Sequence, residues 1–249
     1  MTVADVYKLL DEKAPFASAE EWDNAGLLAG DGDTPVTAVL VCLDITPAAV
    51  ELARTLGAEL VVSHHPVIFH GLTRLPASHP VYHLAAAGLA AICAHTNLDR
   101  APGGVNDTLA GLLGLRDIQT APDGLCRTGL SDTADFHAFA ETIQNKLGAH
   151  VKRHGAGRPV KKIAVCGGAG GDFLADLAAT DKSIDTVVVG ELKLHEWLLL
   201  NDLGVNTVEA GHYETETPVL DRLCGWLAET GLKVHVFREK PYEQLTSDK

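Results

Sequence analysis

The sequence predicts an α/β protein with mainly parallel sheets, and three observations carry this reading. Short runs of Val, Ile, Leu and Ala alternate with stretches of helical periodicity along the chain, the pattern of βαβ units whose strands are buried on both faces. Turn-forming residues cluster at 117–123 and the alternation then begins again, which marks a lobe boundary. Three expected strands end in His and carboxylate residues, at the strand edge where open α/β sheets bind ligands.

Taken in order, Thr2 caps an amphipathic helix to residue 13, with Val3, Val6, Leu9 and Leu10 on one face. Residues 21–27 read as irregular and 36–43 as a strand. Thr46-Pro47 opens a helix to 56, with Pro in the first turn. Strand 60–63, helix 80–88 closed by Gly88, strand 90–94 and helix 104–113 follow. The second series has helix 136–147, strand 162–166, helix 173–179, strand 186–189, helix 195–200 and strand 205–209. Helix 218–229 and strand 233–237 close it, and the polar residues 240–249 are expected to fray.

With 249 residues and 46% hydrophobic content, the chain has the material for a substantial core. The net charge of −13 disfavours a phosphate backbone as partner. The basic group Lys152, Arg153, His154, Arg158, Lys161 and Lys162 reads as a solvated loop. No run of 18 apolar residues signals a membrane span, and the first residues lack a secretory pattern. Cys42, Cys93, Cys126, Cys166 and Cys224 are scattered, with no Cys-x-x-Cys pair. A reducing cytoplasm is therefore expected, and any metal must be held by His and carboxylates.

His64 and His65 sit at the end of the run Leu60-Val61-Val62 and precede Pro66. Neutral imidazoles ligate Zn, Fe, Ni and Cu. Neighbouring strand residues face opposite ways, so the two rings reach one ion only if the backbone kinks, or flank a pair of ions. The run 90–94 leads into His95-Thr96-Asn97-Leu98-Asp99. Asp99 is a candidate ligand there and His95 a ligand or a group behind the ligands, while turn stabilisation by Asn97 and Asp99 is the competing reading. His212 and Glu216 are spaced i, i+4, but Pro218 argues for a loop entering a helix rather than a helix already formed at 212. His64, His65, His212, Asp99 and Glu216 are too few for two closed tetrahedral sites. They suit two open sites with a bridging carboxylate and a bridging water. Glu191 and His195, after the strand 186–189, are candidate acid, base or supporting groups for the same cleft. The glycine run 167–171 is either a tight turn or an anion cradle.

Trp22-Asp23-Asn24-Ala25-Gly26-Leu27, Ser63-His64-His65-Pro66, His95-Thr96-Asn97-Leu98-Asp99, Cys166-Gly167-Gly168-Ala169-Gly170, Gly190-Glu191 with His195, and Gly211-His212 with Glu216 span nearly the whole chain. In this order they resemble the NIF-three-like family of dinuclear-metal-centre proteins, many of which carry the label GTP cyclohydrolase I type 2 homologue. The resemblance implies two interlinked α/β lobes, residues 1–120 plus 213–249 and residues 121–212, with the metal pair in the cleft between them. It implies that His65 and Asp99 bind one ion, that His64 and His212 bind the other, that Glu216 bridges, and that His95 lies close by. It also implies a homo-hexamer built as a trimer of dimers. The ligand set accepts two divalent ions among Fe, Zn, Mn, Ni and Co. The expected function is a metal-dependent hydrolase acting on a nucleotide-like or phosphoester substrate, with Glu191 or His195 moving protons. The alternative is a non-catalytic metal-handling or partner-binding ring. A scaffold on nucleic acid is disfavoured by the charge.

Overall fold

The structure is a computed structural model describing residues 1–243. In chain order its elements begin with α1 (Val3–Lys13), β1 (Gly26–Ala29), β2 (Ala38–Cys42), α2 (Pro47–Leu56), β3 (Leu60–Ser63), α3 (Pro80–Ala87), β4 (Ala90–Cys93) and α4 (Thr96–Arg100). Next come α5 (Val105–Leu113), β5 (Arg116–Thr120), β6 (Arg127–Leu130), α6 (Phe136–Leu147), β7 (Lys152–His154), β8 (Lys162–Cys166), α7 (Gly171–Thr180) and β9 (Thr186–Val189). The last are α8 (Leu194–Asp202), β10 (Asn206–Glu209), α9 (His212–Glu216), α10 (Val219–Ala228) and β11 (Lys233–Phe237).

The chain divides into two compact units. The first comprises Met1–Gly104 and Val219–Arg238, and the second Val105–Pro218 with the tail from Glu239. Residues 105–120, 213–218 and the tail from Glu239, assigned to the first lobe from sequence, fall in the second unit. The reason is visible in the pairing: β5 joins β6 in the second sheet, so the turn-rich stretch 117–123 lies inside that unit.

The first unit holds a five-stranded sheet ordered β1-β4-β3-β2-β11. The pairings β11–β2, β2–β3 and β3–β4 are parallel, and β1 adds antiparallel to β4. Leu40, Val61 and Ala91 project from one face into a core with Leu84, Val50 and Ala53, because alternate strand residues share a face. The helices are set by local chemistry. Thr2 and Asp5 form a capping box on α1, and Thr46 caps α2 with Pro47 in its first turn. Gly57 and Gly88 end α2 and α3 in the left-handed conformation that glycine adopts without strain.

The second unit holds a six-stranded mixed sheet ordered β5-β6-β8-β9-β10-β7. Only β8–β9 and β9–β10 are parallel. Strand β9 alternates its side chains between two cores: Val188 joins Leu109, Phe139 and Ile143 beneath α5 and α6, while Val187 and Val189 join Leu174 and Leu200 beneath α7 and α8. Truncating such a buried Leu or Ile to Ala costs about 2–5 kcal/mol.

The α/β class expected from sequence is correct, with antiparallel strands flanking the parallel centres. Strands β1, β5, β6 and β7 escaped the sequence reading. Every residue of β5 and β7 is exposed, so neither carries an apolar run. The basic group at 152–162 is therefore not one loop. Lys152 lies on β7 and pairs with Glu209, and Lys162 opens β8 and pairs with Asp181. The end expected to fray is held in part: Lys240 and Tyr242 both bond Glu214, and 244–249 lie outside the described residues. Among the described residues no helix is long and apolar enough to cross a membrane.

Candidate metal centre

Strand register gathers the candidates of the first unit at one sheet edge. Cys42 pairs with Ser63 and Ser63 with Cys93, so β2, β3 and β4 end level with one another. The residues just beyond these ends are Asp44, His64 with His65, and His95. One ring nitrogen from each of His64, His65 and His95 lies within 4.8 Å of the other two. The backbone bends at 64 and 65, which is the kink that two adjacent imidazoles need to face one place. Their ring centroids are 5.0 Å apart.

Each imidazole is held through Nδ1. His64 is buried, and its Nδ1 lies 2.9 Å from the Ala94 carbonyl. The Nδ1 of His65 lies 2.9 Å from Asp44 Oδ1, and that of His95 lies 2.8 Å from Asp23 Oδ1. Carbonyls and carboxylates only accept, so Nδ1–H donates in every case and a neutral ring carries its lone pair on Nε2. The His64 Nε2 lies 3.6 Å from Asp99 Oδ1. Asp99 sits on α4, a five-residue helix where the sequence reading had only a loop or turn.

Asp23 is the brace behind His95. Its buried carboxylate also accepts the Thr96 N–H at 3.0 Å and the Thr96 hydroxyl at 2.5 Å. Burial acts to raise its pKa, but the hydrogen bonds from His95 and Thr96 outweigh it and hold the carboxyl far below the usual range.

The second unit repeats the arrangement. Cys166 pairs with Val189 and Val189 with Glu209, which levels the ends of β8, β9 and β10. Gly167-Gly168, Gly190-Glu191 and Gly211-His212 follow these ends. His212 and Glu216 do lie on a formed helix, α9, which corrects the expected loop. Pro218 breaks the chain between α9 and α10 rather than preventing α9. One turn of helix brings His212 Nε2 to 3.2 Å from Glu216 Oε2. The Nδ1 of His212 lies 3.2 Å from Glu191 Oε2, so this ring too is held by an oxygen acceptor. His195 projects from α8 with its side chain 76% exposed, 3.9 Å from Glu196, a placement that brings no support for proton transfer at His212.

The glycine loop has a use that its sequence concealed. Gly168 has φ of +59°, and a methyl group there would run into the Glu216 carboxylate and approach His212 Nε2 to 3.2 Å. The Gly168 N–H donates to Thr215 Oγ1, and the Gly167 N–H donates to Asn106 Oδ1 at 2.7 Å. These amides are tied to side chains of the same unit, and the loop clears space for a carboxylate.

Sequence reasoning missed Asp44 and gave no role to Asp23. Asp44 follows β2 by two residues, as His95 follows β4, so its signal was a carboxylate at a third strand end.

The carboxyl edge of the first unit's sheet thus presents three imidazoles beside the Asp99 carboxylate, and that of the second unit presents one, His212, beside Glu216, the donor chemistry of a divalent-metal site. The chain belongs to the DUF34/NIF3 (NGG1p interacting factor 3) family, whose model matches residues 1–242. A Lactococcus lactis protein named GTP cyclohydrolase 1 type 2 homolog is 31% identical over 96% of this chain and 97% of its own length. A Staphylococcus aureus protein of the same name is 46% identical over 47% of this chain and 33% of its own. Among solved structures, a hypothetical protein of Staphylococcus aureus superposes with a TM-score of 0.87 at 29% identity, covering 98% of this chain and 99% of that one. Reduced HcgD from Methanocaldococcus jannaschii gives 0.84 at 25% identity, covering 95% and 97%.

Proposed function

We propose that this protein binds two divalent metal ions per protomer and acts as a metal-dependent hydrolase on a nucleotide-like or phosphoester substrate. The observation that carries the reading is that His64, His65, His95 and His212 each have Nδ1 on an oxygen acceptor, which sets Nε2 as the coordinating atom. The donors fit Fe, Zn, Mn, Ni or Co, and four of the five cysteines are buried free thiols that take no part. By family resemblance, His65 and Asp99 hold one ion, His64 and His212 the other, and Glu216 bridges. When bound, such a pair polarises a substrate oxygen and lowers the pKa of water.

The residues of this chain orient and hold protons. The Ala94 carbonyl, Asp44 and Asp23 fix the three imidazoles of the first unit. Glu191 keeps the proton of His212 on Nδ1 and is the candidate for proton movement beside that ring. The name of the relatives makes GTP the first substrate to try. A homo-hexamer, a trimer of dimers, completes the proposal on the family resemblance, and the buried free thiols support a reducing cytoplasm.

Elemental mass spectrometry on the reconstituted protein and on Glu216→Ala tests the metal reading. Close to two ions per protomer, with loss in the variant, is expected for a bridged pair. No retained metal overturns it. Metal-loaded protein that turns over neither GTP nor any phosphoester leaves the alternative, a metal-handling or partner-binding ring.

A further inference from the structure

Beside the imidazole cluster of the first unit stand two aromatic rings that the fold does not bury. Trp22 is 57% exposed and Phe69 42%. Their centroids lie 5.9 Å apart, and each lies 6.3 Å from the His95 ring, which meets them edge-on at 78° and 76°. Two exposed rings in one place leave an apolar surface open to a ligand.

Both rings are braced from behind. Asp23, next to Trp22, takes the hydrogen bonds of His95 and Thr96. The Asn24 amide donates to the Ile68 carbonyl at 2.5 Å, joining the segment that carries Trp22 to the one that carries Phe69. A mobile surface loop needs no such tie between residues 44 positions apart. The wall is therefore set before any ligand arrives, which lowers the ordering cost of binding.

We propose that Trp22 and Phe69 form a stacking wall for the purine-type base of a nucleotide, placed beside His64, His65 and His95. The choice of a nucleobase rests on the hydrolase reading above. At −13 overall, the chain repels a polyphosphate at long range, so the phosphates add no long-range attraction and the ring faces are where this patch contributes affinity. Every base has such faces, and stacking on aromatic side chains is tolerant of base identity.

The test uses the full-length, metal-loaded protein with GTP, inosine and tripolyphosphate as probes, read by tryptophan emission and by equilibrium dialysis. GTP and inosine are expected to quench emission, and tripolyphosphate to leave it unchanged. Trp22→Phe identifies the quenched residue and keeps most of the affinity. Trp22→Ala and Phe69→Ala each weaken GTP binding by about 5- to 150-fold, the span of one lost base stack. Both sites are exposed, and an unchanged Tm and metal content show that the fold is intact. Wild-type GTP affinity in both alanine variants overturns the proposal, as does tripolyphosphate binding as tightly as GTP. A change of assembly size in Trp22→Ala with no inosine binding by wild type also overturns it, since the wall is then an interface between copies. Inosine quenching without GTP turnover keeps the wall and removes the hydrolase. Turnover with KM unchanged in both alanine variants does the reverse.

Discussion

Asp44→Ala is the perturbation that isolates the orienting role of a carboxylate from its contribution to the fold. Asp44 Oδ1 lies 2.9 Å from His65 Nδ1, and its side chain is 50% exposed. A half-exposed pair of this kind contributes roughly 0–1 kcal/mol to stability. In a chain of 249 residues that moves Tm by about 2–4 °C at most. Its effect on metal affinity is larger. Without the acceptor, the His65 ring rotates and exchanges its proton between Nδ1 and Nε2, and loss of such a partner typically costs about 10–100-fold in metal affinity, or about 1.4–2.7 kcal/mol. Titration of metal-depleted protein against a competing chelator measures this directly. Asp44→Asn, which keeps an oxygen acceptor, is expected to stay within about threefold of wild type. Equal affinities in wild type and Asp44→Ala would refute the reasoning that Nδ1 contacts set the ligand atoms.

Three further outcomes follow from the same geometry. Gly168→Ala and Gly157→Ala both place a side chain at positive φ and each carry roughly 1–2 kcal/mol of strain. Only Gly168 faces Glu216, so metal content should fall in Gly168→Ala alone; equal retention in both would show that the loop does not shape the site. Glu214 is buried on α9 and bonded by Lys240 and by the Tyr242 hydroxyl at 2.9 Å. Lys240→Ala with Tyr242→Phe leaves that carboxylate unpaired, and a cost of about 1–3 kcal/mol should appear as a Tm several degrees lower. An unchanged Tm would show that the tail does not secure α9. Asp181 is held at a pKa of about 2, chiefly by the Lys162 ammonium and then by Ser183. A carboxyl depressed below its unfolded value of about 4 stabilises the fold above that pH and loses the effect as pH falls through its folded value. Stability curves of wild type and Lys162→Met should therefore separate above pH about 4 and converge toward about 2; parallel curves across that range would contradict the pairing.

How much was legible in the sequence follows from what each element depends on. The buried strands β2, β3, β4, β8 and β9 announced themselves because burial on both faces demands continuous apolar runs. Helices α1, α2, α3 and α6 carried their own caps or closing glycines. The exposed edge strands β5 and β7 had no such pattern, and the five-residue helices α4 and α9 are too short to show a period.

At the site the same division holds. The sequence by itself determined which residue types stand at the strand ends, and so the donor chemistry: His64, His65, His95, Asp99, His212 and Glu216, with no cysteine among them. Only the tertiary structure decided which nitrogen each ring presents. That choice depends on Ala94 lying behind His64, Asp44 behind His65, Asp23 behind His95 and Glu191 behind His212, separations of 30, 21, 72 and 21 residues. Strand register and loop packing close those distances, and no local propensity encodes them.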